Sequence, residues 1–408
     1  MNPNLCAIIS PPYEKCRLAG FQSRRFLAAM RFLQLLLPVL ATSAASISAA
    51  ATLPAPTAPV IGAKSYLLID GNSGATLASL EPDVRLAPAS LTKLMTGYAI
   101  FKALDEDQVT LDDLVTVSEK AWRTPGSRTF IDVGARVAVK DLIMGMIVQS
   151  GNDASVALAE HVAGTESVFA EVMNRYAVEL GMNDSHFMNA TGLPHDEHYS
   201  TARDLATLAR AMISEFPEYY GWYSVREFKY NDITQTNRNA LLSRDPSVDG
   251  MKTGHTADAG YCLVSAAKRD GMRIISVVLG TATPKARNDG SQALLNYGFR
   301  FFETRLLYEA GETVTEAKIW KSADELTPLG LPEDLYITVP RGSYDEVESV
   351  LNMPAVLLAP VARGQPLAEL EVSLNGSSLI NTPLRALREN PKGSLWQRGR
   401  DAVMLLFE

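Results

Sequence analysis

The chain has 408 residues, 47% of them hydrophobic, and a formal net charge of −8. That length accommodates a large catalytic core plus a second, smaller domain, and the apolar content excludes a disordered chain. The acidic balance disfavours a nucleic-acid partner. It becomes more acidic on processing: residues 1–50 hold Lys15, Arg17, Arg24, Arg25 and Arg31 against Glu14 alone, so their removal leaves a charge of about −12.

Residues 1–50 have the form of a signal-peptide region. A basic stretch from Arg24 leads into the apolar block 32–40 and then into Ser48-Ala49-Ala50, a small-residue cleavage pattern. The block is too short to span a bilayer, Met30 is an alternative start, and Ser23-Arg24-Arg25-Phe26-Leu27 matches a twin-arginine signal only loosely. Cleavage removes Cys6 and Cys16 and leaves Cys262, so no intramolecular disulfide is expected. A linker over 51–62 carries Pro54, Pro56 and Pro59. Strands over 65–69 and 75–80, around the turn Asp70-Gly71-Asn72-Ser73-Gly74, open a catalytic domain assigned to 63–303.

Pro88 stands near the start of a helix with Leu91, Leu94, Met95 and Tyr98 at helical spacing, which puts Ser90 in its first turn. Helices over 139–148 and 153–162 flank the polar turn Gln149-Ser150-Gly151-Asn152, and a hairpin joins 261–267 to 272–279 across Lys268-Arg269-Asp270-Gly271. The segment 304–388 changes to short alternating runs such as 335–339 and 370–374, the pattern of a small β-rich domain. In the last segment, 389–408, Leu395, Gly399, Ala402, Val403, Leu406 and Phe407 share one helical face, with Trp396 beside them and Gln397, Arg398, Arg400 and Asp401 opposite. That pattern predicts an amphipathic helix lying in a membrane interface rather than spanning it. Helices mixed with antiparallel strands define an α+β fold.

Three short motifs occur in order: Ser90-Leu91-Thr92-Lys93, Ser150-Gly151-Asn152 and Lys252-Thr253-Gly254. On a helix, the spacing of Ser90 and Lys93 sets them side by side. The same spacing at Ser265 and Lys268 falls on a predicted strand, where the two side chains point to opposite faces, and Ser373-Leu374-Asn375 falls in the β-rich segment. Ser90 needs a base, and Lys93 serves as one if burial and the like charge of Lys252 lower its pKa. The Ser90 N–H at a helix start suits half of an oxyanion hole. Ser150 can relay a proton to a leaving amine, and Asn152 can hold a substrate amide. Lys252 and the Thr253 hydroxyl offer a site for a carboxylate, while Gly254 permits close approach of an extended peptide.

The strings Ala87-Pro88-Ala89-Ser90-Leu91-Thr92-Lys93-Leu94-Met95-Thr96, Gln149-Ser150-Gly151-Asn152-Asp153-Ala154, His198-Tyr199-Ser200-Thr201-Ala202-Arg203-Asp204-Leu205, Thr236-Asn237-Arg238-Asn239 and Val248-Asp249-Gly250-Met251-Lys252-Thr253-Gly254-His255-Thr256 resemble the low-molecular-mass penicillin-binding proteins that act as D-alanyl-D-alanine carboxypeptidases. The resemblance implies the penicillin-binding, serine β-lactamase-like transpeptidase fold, a β-rich second domain and a C-terminal amphipathic anchor. It implies Ser90 as acylated nucleophile, Lys93 as base, Ser150 and Asn152 as the second element, and Lys252 with Thr253 at the substrate carboxylate. It further implies the His255 N–H as second oxyanion donor and Arg238 as a further carboxylate-side cation. The expected partners are peptidoglycan stem peptides, β-lactam antibiotics and the inner-membrane surface on its periplasmic face, with no cofactor and no metal.

Rival readings are a β-lactamase or esterase on the same fold, or a non-catalytic cell-wall-binding protein. Ser-Gly-Asn in place of Ser-Asp-Asn and the β-rich tail disfavour a class A β-lactamase. Deacylating carboxylates would have to come from Glu160, Glu166, Glu171 or Glu179, which stand out by position alone. The run His195-Asp196-Glu197-His198 packs four metal-capable side chains into one stretch, but its context is that of a loop wall near the active site.

Overall fold

The computed structural model describes residues 55–407, so the signal-peptide expectation lies outside the described residues. The chain forms two compact units, Ala55–Leu306 with Tyr336–Arg341, and Leu307–Leu335 with Gly342 onward.

The first unit is built on a five-stranded antiparallel sheet of β1 (Ser65–Asp70), β2 (Thr76–Leu80), β3 (Val248–Thr256), β4 (Gly260–Arg269) and β5 (Met272–Thr281), in the order β2-β1-β5-β4-β3. Its inner strands are nearly continuous apolar runs because both faces are covered. Residues alternate strictly between the two sides: Leu67, Ile69, Val264 and Ile275 belong to one core, and Tyr66, Leu68, Leu263 and Ile274 to the other.

Around the sheet lie α1 (Thr92–Asp105), α2 (Val139–Val148), α3 (Asn152–Ala163), α4 (Glu166–Glu179), α5 (Ala202–Glu215) and α6 (Pro284–Phe301). Helix α1 is the central one: every residue but Lys102 and Asp105 is buried, so it is apolar all round rather than amphipathic. Phe101 stacks on Tyr219 and meets Phe216 edge-on. Replacing a fully buried side chain there, such as Leu94 or Phe101, by Ala removes about 2–5 kcal/mol. The rigidity of α1 holds the chemistry in place.

One local detail departs from the sequence reading. The helix proper begins at Thr92, and Ser90 stands in a tight 3-10 turn over Ala89–Leu91 ahead of it. Ala89, with φ +48°, turns the chain sharply after Pro88. The other helices and the hairpin lie close to where the sequence puts them, and Ser265 and Lys268 do fall on a strand, β4.

The second unit carries an antiparallel sheet of β6 (Thr315–Lys318), β7 (Leu326–Gly330), β8 (Val347–Asn352), β9 (Pro366–Leu374) and β10 (Ser377–Ala386), ordered β6-β7-β10-β9-β8. Leu370 and Val372 point into it while Glu369 faces out, the alternation of a half-buried sheet.

Its last element is α7 (Leu395–Met404), opened by a capping box between Ser394 and Gln397. The sequence sets Asp401 on the solvent side of this helix; instead it is buried and accepts from the Lys321 N–H at 2.7 Å. Gln397 donates to the Ala323 carbonyl at 3.2 Å. The polar side of α7 is thus the docked side, which leaves Leu395, Trp396, Leu406 and Phe407 more than 80% exposed.

Candidate active site

Three segments converge on a cleft of about 600 Å³ in the first unit: the turn before α1, the α2–α3 turn and strand β3. Ser90, Ser150, Asn152, Thr253, Gly254, His255 and Arg238 all line it. Two positions at the cleft turns are held in backbone conformations that non-glycine residues rarely take: Ala89, next to the serine, and Ser150, with φ +65°. In each case the turn is over-determined by packing. Gly254 lies so close to the Pro88 carbonyl that a Cβ there would stand 2.9 Å from it, so this glycine lets β3 close onto the serine turn.

Lys93 is fully buried one helical turn from Ser90. Its Nζ has three neighbours: the Asn152 Oδ1 at 2.7 Å, the Thr191 carbonyl at 2.7 Å and the Ser90 Oγ at 3.1 Å. Burial pushes its pKa down to about 7, with the charge of Arg238 acting in the same direction and Asp153 opposing. A neutral amine has two N–H donors and one lone pair. With the two strong acceptors taking the hydrogens, the lone pair is left for the Ser90 hydroxyl, which then donates to it. The arrangement is that of an activated nucleophile.

Lys252 is also buried, and its pKa is driven down by burial first and then by the charges of Lys93, Arg238 and Arg287. Its Nζ donates to the Ser150 Oγ at 2.9 Å and to the Thr253 carbonyl at 3.1 Å. It therefore stands behind Ser150 rather than on the cleft wall. The cations that do line the cleft are Arg238 and Arg287, the second of which the motif pattern does not single out. His255 is exposed and stacks on Tyr261, its partner across the β3–β4 ladder, with centroids 4.0 Å apart.

Asn152 is engaged on both ends, with Oδ1 on Lys93 and Nδ2 on the Pro125 carbonyl at 2.6 Å. It thereby orients the Lys93 amine. Its neighbour Asp153 is a functional position that sequence reasoning passed over although it stands inside a quoted motif. Fully buried, it accepts from the backbone N–H groups of Thr129, Phe130 and Ala154 at 2.8–2.9 Å. These bonds, with Asn152 N–H to the Ser127 carbonyl at 2.7 Å, pin the 125–131 segment whose Gly126 and Ser127 form a cleft wall.

Among the described residues no Asp or Glu lines the cleft. Glu160 accepts from Ser118, and Glu166 pairs with Lys120 and accepts from the Ala190 N–H behind the site. Among the described residues no cluster of three or more His, Cys, Asp or Glu is arranged to hold a metal. His195, Asp196 and Glu197 are exposed, and His198 is turned inward onto Thr92. Cys262 is buried on β4, its thiol pushed up by burial, so it is a core residue.

A serine hydroxyl beside a buried lysine amine, facing a strand edge and flanked by cations, is the arrangement of a serine acyl-transfer enzyme. The comparisons narrow the class. The family description "D-alanyl-D-alanine carboxypeptidase" matches residues 52–283, and "Penicillin-binding protein 5, C-terminal domain" matches 302–392. The chain is 41% identical to the D-alanyl-D-alanine carboxypeptidase DacA of Escherichia coli over 86% of this chain and 89% of that one. It is 37% identical to DacF of Bacillus subtilis over 81% of this chain and 86% of that one. Among solved structures, penicillin-binding protein 5 of Haemophilus influenzae superposes with a TM-score of 0.80 at 41% identity, over 83% of this chain and all (100%) of that one. Penicillin-binding protein D2 of Listeria monocytogenes in its ampicillin-bound form gives 0.55 at 30% identity, over 59% of this chain and 98% of that one. The chain belongs to the D-alanyl-D-alanine carboxypeptidase family and is a serine-type peptidase.

The Lys93 environment fixes the expected pH behaviour. In the reading proposed below, in which Lys93 is the base, only its amine form takes a proton from Ser90, and the ammonium form gains population below about pH 7. Acylation by a β-lactam, followed as a second-order rate constant between pH 5 and 9, rises with pH through the neutral range and falls tenfold per unit on the acid side. A rate flat down to pH 5 contradicts this assignment.

Proposed function

We propose that this carboxypeptidase removes the terminal D-Ala from peptidoglycan stem pentapeptides through an acyl-Ser90 intermediate, and that β-lactams acylate the same serine. The observation that carries the reading is the Lys93 amine beside the Ser90 Oγ with its other two contacts already filled.

In the proposed sequence the Ser90 proton passes to Lys93 Nζ as Oγ bonds the carbonyl carbon of the penultimate D-Ala. The Ser90 and His255 N–H groups receive the oxyanion. The C–N bond then breaks, and the departing amine takes the proton that Lys93 received, relayed through the Ser150 hydroxyl, whose oxygen accepts from Lys252 Nζ; Lys93 returns to the amine. Water then attacks the ester carbonyl, giving its proton to the regenerated Lys93 amine; the C–Oγ bond breaks and Ser90 Oγ takes that proton back, releasing the shortened peptide acid and the free enzyme. The Thr253 hydroxyl and Arg238 receive the C-terminal carboxylate, with Lys252 adding positive field beneath them. The absence of any carboxylate from the cleft lining disfavours a class A β-lactamase mechanism, and the complete Ser90, Lys93, Ser150 and Lys252 set disfavours a silent binding protein.

The roles of the segments follow. The catalytic domain expected over 63–303 corresponds to the first unit, which also takes in 304–306 and 336–341; the rest of 304–388 is the β-rich domain, and 1–50 an export signal that delivers the chain to the periplasmic face of the inner membrane. Residues 389–408 are the anchor. No described helix is long and apolar enough to cross a membrane. Helix α7 docks through Asp401 and Gln397, so its exposed Leu395 and Trp396, with Leu406 and Phe407 just beyond its end, are free to enter a lipid interface. Full burial of such side chains is worth about 1.5–3 kcal/mol each, so even partial insertion holds the protein.

Two outcomes test these proposals. Arg238→Gln lowers kcat/KM on an acetylated Lys-D-Ala-D-Ala peptide by about 10–100-fold. The loss on the same peptide amidated at its C-terminus is far smaller, because only the free carboxylate needs the cation; equal losses on both substrates place Arg238 elsewhere. Deleting residues 393–408 releases active enzyme from membranes that retain the full-length protein through high-salt washing. A truncated enzyme that still sediments with vesicles rules out the anchor.

A further inference from the structure

His198 is a buried histidine that the proposed mechanism leaves without a task. Its ring is 4% exposed and meets Phe187 edge-on. The Met188 backbone N–H points at its Nδ1 from 3.3 Å, and a backbone N–H can only donate. Nδ1 is therefore unprotonated, which puts the ring hydrogen on Nε2. That N–H donates to the Thr92 Oγ1 at 2.8 Å. Burial, with lesser contributions from the charges of His186 and His195, pushes the ring pKa down to about 4, so this tautomer persists through the neutral range.

Thr92 lies between Ser90 and Lys93, and the segment that His198 ties to it is the one that supplies the Thr191 carbonyl to Lys93. This segment is stiff in itself: Asn189 Oδ1 accepts from the N–H groups of Thr191 and Gly192 and from the Thr191 hydroxyl, at 2.8–3.1 Å. Gly192, at φ +81°, lies against the Ala89 carbonyl with no room for a Cβ. The segment is docked on α1 by three polar contacts: His198 to Thr92, the Thr96 hydroxyl to the Ala190 carbonyl at 2.8 Å, and Lys93 to the Thr191 carbonyl at 2.7 Å. The last of these is the bond that directs the Lys93 lone pair, and the first two set its geometry.

We infer that His198 is a positioning residue for the acylation step: through its Nε2–H bond to Thr92 it fixes the 188–192 segment on α1 and so holds the Thr191 carbonyl on the Lys93 amine. The inference rests on Lys93 being the base. It assigns a task to a side chain whose surroundings in sequence, His195-Asp196-Glu197-His198, look like metal ligands.

Two substitutions separate the two ends of the ring. In His198→Gln the amide nitrogen falls near the Nε2 position and keeps a donor for Thr92. In His198→Asn the amide oxygen falls near Nδ1, keeping the acceptor for Met188 but losing the donor. Acylation of the full chain by a fluorescent penicillin is measured against pH, with thermal unfolding in parallel. The inference expects His198→Asn to acylate at least about fivefold more slowly at saturating pH, and His198→Gln to stay within about twofold. It also expects the acid limb of His198→Asn to move to lower pH. The Thr191 carbonyl favours the ammonium, and loosening it lowers the Lys93 pKa, while Asp153 and Arg238, the charges acting there, and the neighbouring Lys252 stay in place.

Equal acylation and equal acid limbs in both variants and the parent, with only the unfolding temperature lowered, overturn the inference and leave His198 a packing residue. If both variants unfold, Thr92→Val supplies the same test from the other partner by removing the acceptor at nearly constant volume. Lys93→Ala is the control for the underlying reading: a fully active Lys93→Ala fails the base assignment, whereas an inactive one beside unchanged His198 variants fails this inference alone.

Discussion

A lysine amine sealed from water is the constraint around which the catalytic unit is built. An ammonium in the position of Lys93 loses its hydration, and the surroundings restore only part of it: two good acceptors, a serine hydroxyl and a buried carboxylate further off. The charged form is disfavoured until the amine becomes populated near neutral pH. Burial is supplied by α1, which has apolar neighbours on every side, so core packing and base strength have the same origin. Lys252 carries the same logic further: burial first, and then the charge of Lys93, drive its pKa down, whereas the charge that depresses Lys93 is that of Arg238 and not, as the motif spacing suggests, that of Lys252.

Such a site is stable only if its partners cannot drift, and the structure invests in their fixation. Asp153 accepts from four backbone N–H groups, three of them in the 125–131 wall. The 188–192 segment is braced internally by Asn189 and from behind by Glu166. Glycines stand where backbones touch: Gly192 on Ala89, Gly254 on Pro88, Gly151 against Thr129. Positive φ at Ala89 and Ser150 costs about 1–3 kcal/mol each, a strain that the surrounding packing must offset. The outcome is a cleft whose polar atoms are already aimed, which is how electrostatic catalysis avoids reorganisation at the moment of reaction.

Much of this was legible in the chain. Ser90 and Lys93 are paired by helical spacing alone, the Ser-Gly-Asn turn falls between two periodic helices, and β3 is marked by Lys252-Thr253-Gly254 beside a hairpin. The α+β architecture follows from those periods. Three things were not legible, for physical reasons. The Thr191 carbonyl is backbone, and backbone acceptors leave no signature in side-chain identity. Asp153 looks like an ordinary first-turn acid of α3, and only the fold brings the Thr129 and Phe130 amides to it across 23–24 residues. Lys252 reads as a cation for substrate, yet its stem carries it inward to Ser150, which no linear spacing can reveal. Asp401 teaches the same lesson in the second unit: helical periodicity gives the two faces of α7 but not which one docks, and there it is the polar face that does.

The central claim is that one serine, activated by Lys93, carries the acyl group. Its most direct test is the intact mass of the mature enzyme and of Ser90→Ala after incubation with penicillin, with D-Ala release from an acetylated Lys-D-Ala-D-Ala peptide followed on the same samples. Ser90 is partly exposed in its turn, so the substitution leaves the fold intact, checked by an unchanged unfolding transition. The account predicts one penicillin adduct and D-Ala release for the parent, and neither for Ser90→Ala. A covalent adduct on folded Ser90→Ala, or D-Ala release at the parental rate, contradicts it.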